Sequence, residues 1–216
     1  MSARAWRRIK AALARPARFP GSARYWEERY AAGGTSGPGS SRRFAGFKAN
    51  VINDFVAQHG IESVMELGCG DGSQLRLAKY PRYLGLDPSA TAVSLCRKAF
   101  ASDSSKAFKT LHEYGGEQAE LVLSLDVVYH LVEDDAFESH MRALFRAATR
   151  YVIVYSSNTD DIPGVEETHI RHRAFTRWIE QEAPSWRLVR HVPNPYPYKG
   201  NPRTGSWSDF YIYEKR

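Results

Sequence analysis

The chain has 216 residues, 43% of them hydrophobic and 25% charged, with a formal net charge of +6. That composition excludes a disordered chain and leaves room for one complete core. No apolar run reaches the roughly 18 residues of a spanning helix, and no compact apolar stretch follows the N-terminal basic residues, so membrane insertion and secretion are disfavoured.

The first unit is a basic arm, residues 1–24, with Arg4, Arg7, Arg8, Lys10, Arg15, Arg18 and Arg24 and no acid. Removing these seven from the 30 basic residues leaves 23 against 24 acids. The body is therefore near neutral, and a basic groove for nucleic acid is not expected. Trp6, Ile9 and Leu13 fall at helical spacing in the arm. This suits docking on an anionic surface, an acidic partner or the parent domain, and equally a solvated extension.

Residues 25–43 open with the aromatic run Tyr25-Trp26-Glu27-Glu28-Arg29-Tyr30 and continue into Gly33-Gly34-Thr35-Ser36-Gly37-Pro38-Gly39-Ser40-Ser41. The glycines and proline make the second part a loop, either a lid or a linker. Residues 44–216 read as a single domain. From Phe44 to Val56 apolar residues follow a 3.6-residue period and Gly60 is placed to end the helix. Strands are expected at 63–67, 83–86, 106–110, 121–125 and 151–155, with helices at 74–80, 89–100, 134–148 and 174–182. Repeated strand and helix units predict an α/β fold with a parallel sheet covered on both faces. Residues 186–192 and 209–214 alternate with no helix between them and predict a final antiparallel hairpin. Its long connection, 193–207, is either a loose tip or a wall of the substrate site. Two cysteines, Cys69 and Cys96, make no disulfide framework and point to a reducing, cytoplasmic setting.

The most informative segment is Val64-Met65-Glu66-Leu67-Gly68-Cys69-Gly70-Asp71-Gly72, a buried strand running into a glycine-rich turn. A dinucleotide fingerprint spaces its glycines as G-x-G-x-x-G, whereas here they stand at 68, 70 and 72 behind an acid at 66. Carboxylates at Glu66 and Asp71 would repel a pyrophosphate and suit a ligand with an ammonium and a sulfonium, the charge pattern of S-adenosylmethionine. Asp87, at the end of the second strand and about 20 residues beyond the loop, is placed to accept ribose hydroxyls. Alternatively it caps the helix entered through Pro88 and Ser89.

These motifs, with Leu121-Val122-Leu123-Ser124-Leu125-Asp126-Val127-Val128-Tyr129-His130, resemble those of class I S-adenosylmethionine-dependent methyltransferases. The resemblance implies a Rossmann-like seven-stranded sheet of order 3-2-1-4-5-7-6 with strand 7 antiparallel. It implies cofactor binding by Glu66, Gly68, Cys69, Gly70, Asp87, Pro88, Ser89, Asp126 and Val127, and adenine contacts around residues 112–114. The Tyr-Trp-x-x-Arg-Tyr segment with its glycine-serine lid, Leu-Asp-Val-Val-Tyr-His-Leu, and His-x-x-His-Arg at 169–173 resemble actinobacterial saccharide methyltransferases, including the mycobacterial sugar 1-O-methyltransferases of methylmannose polysaccharide assembly.

A saccharide acceptor suits Trp26, Tyr30, Tyr196, Tyr198 and Trp207, which offer flat faces to pyranose rings; Tyr30, Tyr196 and Tyr198 are the chosen substrate residues. Methyl transfer to a hydroxyl needs a base near the methyl carbon. Candidates beyond strands four and five are Asp126, His130, His169 and His172, with His130 first because imidazole titrates near neutrality. A magnesium route through Asp126, Asn158 and Asp160 or Asp161 is the alternative. Glu133, Asp134 and Asp135 read as acids at a helix start. Cys69 is rejected as a nucleophile because methyl transfer to oxygen needs no covalent intermediate. The competing functions are O- or N-methylation of a natural product and a catalytically silent cofactor-binding partner module. Monomer and homodimer both stay open.

Overall fold

The computed structural model describes residues 19–40, 42–163, 165 and 167–216. Most of the basic arm, with Trp6, Ile9 and Leu13, lies outside the described residues, as does Ser41.

The sheet has seven strands: β1 (Val64–Leu67), β2 (Tyr83–Asp87), β3 (Lys106–Thr110), β4 (Ala119–Leu125), β5 (Ala148–Ser156), β6 (Trp186–Val192) and β7 (Asp209–Lys215). Their spatial order is β3-β2-β1-β4-β5-β7-β6. β1 pairs parallel with β2 and β4, while β7 runs antiparallel to both β5 and β6. All four residues of β1 are buried, as expected of a central parallel strand covered on both sides.

Period-2 alternation along the strands separates two cores. On one face Val64, Leu121, Leu123, Ile153 and Ile212 meet Ile52, Phe55 and Val56 of α2 (Arg42–His59) and Val93 and Cys96 of α3 (Ala90–Ala99). On the other, Met65, Val122, Val152 and Val154 meet Phe137, Met141 and Leu144 of α4 (Asp134–Ala147) and Phe175 and Ile179 of α5 (Phe175–Glu182). Among the described residues no helix is long and apolar enough to cross a membrane.

Two elements depart from the sequence reading. The aromatic run at 25–30, to which the sequence assigned no element, is part of helix α1 (Ser22–Ala31). Conversely, the helix expected at 74–80 is a single 3-10 turn, Gln74–Leu77, followed by extended backbone at Ala78. The glycine loop consumes most of the connection, and Pro81 disfavours a helical conformation in Tyr80 before it. α2 is longer than predicted, starting at Arg42 and continuing to His59, where Gly60 with φ 58 takes the left-handed conformation that ends it.

Candidate active site

The carboxyl ends of β1, β2 and β4 meet where the strand order reverses, the place where an open parallel sheet leaves its crevice. Here β1 turns into the glycine loop. Gly68 has φ 90, and a Cβ there would stand 2.4 Å from Val127 Cγ2 on the loop after β4. Gly70, at φ 55, would push a Cβ to 2.5 Å from Ser36 Oγ and 2.8 Å from the Tyr30 hydroxyl. Both glycines thus let neighbouring loops close onto the backbone. The loop amides donate inward: Gly68 N and Cys69 N to Leu86 O, Gly72 N to Cys69 O, and Ser73 N to Asp71 Oδ1.

A cavity of about 680 Å³ opens beside this loop, lined by Glu66, Gly68, Cys69, Gly70, Asp87, Pro88, Asp126 and Val127, among others. Glu66 is 4% exposed and accepts a 2.7 Å hydrogen bond from the Tyr83 hydroxyl. Burial pushes its pKa up to about 7 against the opposing effects of that bond and of Lys48. Asp87 accepts from Gly70 N and Ser89 N, both at 2.9 Å, and burial raises it to about 6. It therefore fixes the loop and leads into α3 at once. Ser89 is the α3 N-cap, accepting from Ala92 N at 3.0 Å, and does not line the cavity. Two desolvated carboxylates in a cleft favour a cationic ligand with hydroxyl groups, and the donor set fits S-adenosylmethionine.

Helix α1 and the loop behind it roof this cavity. Glu27 accepts from Ser89 Oγ at 2.6 Å and from Thr91 N and Oγ1, so α1 is clasped to the start of α3. Ser22 donates from both N and Oγ to Glu133. Glu133 is the N-cap residue of α4 and also tethers α1, while Asp134 and Asp135 stand in the first turn of α4, Asp134 paired with Arg171 and Arg173. Ser36 sits over the glycine loop and is bonded to Asp71.

A second cavity of about 340 Å³ is lined by Tyr25, Trp26, Arg29, Phe44, Tyr129 and Trp207 together with loop residues 36–39, 202 and 205–206. Trp26, Ser36, Asp126 and His130 line both cavities. Asp126 has φ 58, rare outside glycine and a sign of local constraint. Its Oδ2 takes a 2.6 Å ion pair from Lys48, which is 1% exposed, and its Oδ1 accepts from the Tyr129 and Ser208 hydroxyls at 2.9 and 3.0 Å.

The His130 ring stacks against His169 at 5.4 Å and meets Trp26 edge-on at 4.8 Å. Its Nδ1 lies 3.1 Å from the His169 carbonyl. A carbonyl can only accept, so Nδ1 carries the proton and Nε2 the lone pair. Nε2 has no hydrogen-bond partner among the described residues. Burial drives the His130 pKa down to about 4, so the ring is neutral at pH 7 rather than poised near neutrality as the sequence suggested. His169 lines only the second cavity, stacked on Tyr25 and 3.3 Å from Glu167, and burial lowers it too. His172 is buried against Ser157 and lines neither cavity.

The predicted metal set does not assemble. Asp126 is committed to the Lys48 ammonium, Asn158 bonds Thr176 through both amide atoms, and Asp160 holds Ala174 N and Arg177. Of the predicted substrate residues, Tyr30 lines the larger cavity, while Tyr196 and Tyr198 line neither. They stand one layer behind the smaller cavity, Tyr196 edge-on to Phe44 and Tyr198 edge-on to Trp207. The 193–207 connection is nonetheless a wall, through Pro202, Gly205, Ser206 and Trp207. Leu111, rather than residues 112–114, reaches the larger cavity. Sequence reasoning passed over Glu27, Arg29, Ser36 and Lys48. Lys48 alone left a signal, a charge four residues from both Phe44 and Ile52 on the apolar stripe of α2.

Residues 65–152 match the family described as a methyltransferase domain. No curated protein matches the chain. Magnesium protoporphyrin IX methyltransferase from Synechocystis PCC 6803, solved with bound SAM, is 14% identical with a TM-score of 0.63, covering 94% of this chain and 100% of its own. The N-methyltransferase NodS from Bradyrhizobium japonicum WM9, in complex with S-adenosyl-L-homocysteine, is 10% identical with a TM-score of 0.65, covering 90% and 98%. The seven-stranded order found here is that of the methyltransferase fold. Residues 65–152, from β1 into β5, thus carry the match to a methyltransferase domain, and the chain has the fold of S-adenosylmethionine-dependent methyltransferases.

Proposed function

We propose that this enzyme methylates a hydroxyl of a saccharide, with the cofactor in the larger cavity and the acceptor in the smaller one. The observation that carries this reading is the shared wall, where His130, with its free Nε2, borders both cavities. Bound S-adenosylmethionine supplies the electrophilic methyl group. Glu66 offers its carboxylate to the ligand's positive charge, Asp87 has lone pairs left for ribose hydroxyls, and Gly68 and Gly70 give close backbone approach.

In-line displacement requires the acceptor oxygen within about 3 Å of the methyl carbon, and its proton must leave as the bond forms. The protonated ether that would otherwise result is a much stronger acid than imidazolium. His130 therefore accepts the proton even with a pKa of about 4. Asp126, held by Lys48, Tyr129 and Ser208, positions this wall rather than taking the proton.

Trp26, Tyr25, Tyr129 and Trp207 supply flat faces for a pyranose ring, and 340 Å³ lies at the small end of ligand cavities, which suits one sugar unit. The resemblance to actinobacterial saccharide methyltransferases supports the same acceptor class. These rings would also clasp a planar natural product, so the test must separate the two. Methyl-labelled S-adenosylmethionine is incubated with the protein and parallel panels of mono-, oligosaccharide and phenolic acceptors, and products are identified by NMR. An O-methyl sugar is expected. Label transferred only to phenols or amines overturns the saccharide assignment, and cofactor binding without transfer to any acceptor marks a silent module.

A further inference from the structure

We propose that the acceptor carries an anionic group, a carboxylate or a phosphate, and that Arg29 receives it in the smaller cavity. This rests on the reading of that cavity as the acceptor site. Arg29 lines the cavity, half-buried. Its Nε donates to the Thr35 carbonyl at 2.7 Å, and Nη1 makes a long 3.4 Å contact with the Tyr25 hydroxyl. Nη2 donates to nothing among the described residues and lies 3.9 Å from where a Cβ on Gly37, another lining residue, would stand. The guanidinium carbon sits 5.4 Å from the Trp26 ring centroid, which holds its plane. One edge of the fork is thus fixed and the other is presented at the cavity wall.

No carboxylate of the described residues pairs with this cation. Of the described acids on the same wall, Asp126 is taken by Lys48 at 2.6 Å and Glu167 faces His169 at 3.3 Å. A partly desolvated guanidinium without a counter-charge is costly, and its planar fork matches carboxylate and phosphate oxygens. A second cation stands at the rim. Arg43 lies 5.2 Å from the centroid of the lining Phe44 ring and 4.5 Å from that of Tyr196, donates to the Thr204 carbonyl, and likewise pairs with no carboxylate among the described residues.

The location links recognition to turnover. Beyond the dominant effect of burial, His130 is acted on by the His169 carbonyl and ring, by Asp126, and by Arg29, whose charge depresses its basicity. An anion bound at Arg29 offsets that last contribution and makes His130 a better base. A charged acceptor therefore binds more tightly and also reacts faster than its neutral counterpart.

The test is calorimetric titration of the S-adenosylhomocysteine-loaded protein with D-glucuronate, D-glucose 6-phosphate and D-glucose, and with 4-hydroxybenzoate against phenol. The charged sugars are expected to bind at least about tenfold more tightly than glucose, and the order of the two identifies carboxylate or phosphate. Arg29→Gln should abolish the difference while keeping S-adenosylhomocysteine affinity. If that variant does not fold, Arg43→Gln should reduce the difference, and the comparison within the unaltered protein still decides. Equal binding of charged and neutral members in both pairs overturns the anion subsite. Preference for 4-hydroxybenzoate over phenol, with no sugar bound, keeps the subsite and overturns the saccharide reading.

Discussion

Ser36 and Asp71, 35 positions apart, hold each other through three hydrogen bonds: Ser36 N to Asp71 Oδ2 at 3.0 Å, Ser36 Oγ to Asp71 Oδ1 at 2.9 Å, and Asp71 N to Ser36 Oγ at 3.2 Å. Since the Ser36 proton goes to Asp71, the Tyr30 hydroxyl, 3.0 Å away, donates to Ser36. The loop at 33–40 is therefore latched onto the glycine loop, in the lid position.

Ser36→Ala removes every bond made by that hydroxyl and should loosen the latch. Amide exchange across residues 33–40 is expected to rise, and cofactor affinity to fall by about 1–3 kcal/mol. Burial alone would raise the Asp71 pKa, but hydrogen bonds from Ser73 and Ser36 overcome it and hold it below its usual value. With a depressed folded-state pKa, the latch contributes fully above the ordinary carboxylate range and is lost as pH falls through the lowered value. Exchange protection that is unchanged in Ser36→Ala would refute the latch.

Glu66 at about 7 and Asp87 at about 6 are both partly protonated near pH 6.5 in the free protein. Their raised folded-state pKa values mean that the free fold loses stability as pH rises through this range, because buried carboxyls must ionise. A bound sulfonium and ammonium favour the ionised forms. Titration with S-adenosylmethionine at pH 6.5, in buffers of different ionisation enthalpy, should show net proton release that fades above pH 8. Proton uptake, or none at either pH, would detach these acids from the cofactor.

His130→Ala should lower kcat by about 10²–10⁴-fold, the usual range for a lost general base, with little change in cofactor affinity. Because the folded-state pKa is about 4, the base form persists through neutrality. At saturating cofactor and acceptor, kcat should stay flat from pH 8 to about 5.5 and fall only in more acidic solution. A midpoint near 6.5 would assign the titration to another group.

Lys48→Met leaves the half-buried Asp126 carboxylate without its ion-pair partner. Because that carboxylate borders the cavities and keeps the Tyr129 and Ser208 hydroxyls, the loss should fall below the roughly 3–5 kcal/mol of a fully buried pair, read as a lower urea midpoint at unchanged slope. Lys48→Met with Asp126→Asn, which removes the charge and tolerates φ 58, should recover much of that loss in stability while remaining inactive. Full stability in the single variant would show the pair to be dispensable.

The strands were legible almost residue by residue, because buried parallel strands are continuous apolar runs bounded by turns. The glycines at 68 and 70 were legible because positive φ and close approach dictate their type, and Asp87 because a strand end before a helix entry calls for an acceptor of backbone amides. Helix α1 was not, since it buries only Ser22 and Tyr30 and so lacks an apolar stripe. The metal set failed because Asp126, Asn158 and Asp160 look alike as oxygen donors in sequence, yet each is already bonded to a partner distant in the chain. His130 borders both cavities, but its lowered basicity was not legible, because its burial depends on Trp26 and His169, which only the fold brings to it. Arg29 and Ser36 act through a loop whose course no periodicity announces.

The single turn after the glycine loop also settles which nucleotide the backbone can refuse. A diphosphate is ordinarily received by free amides at the start of a full helix, where the helix dipole adds its attraction. Here the amides of residues 68–73 are all spent within the protein, on Leu86, Asp87, Ser36, Cys69 and Asp71, and the turn at Gln74–Leu77 has almost no dipole to offer. Discrimination against dinucleotides is thus written into the main chain, independently of the Glu66 and Asp87 carboxylates, and no side-chain substitution in the cavity should turn this site to NAD.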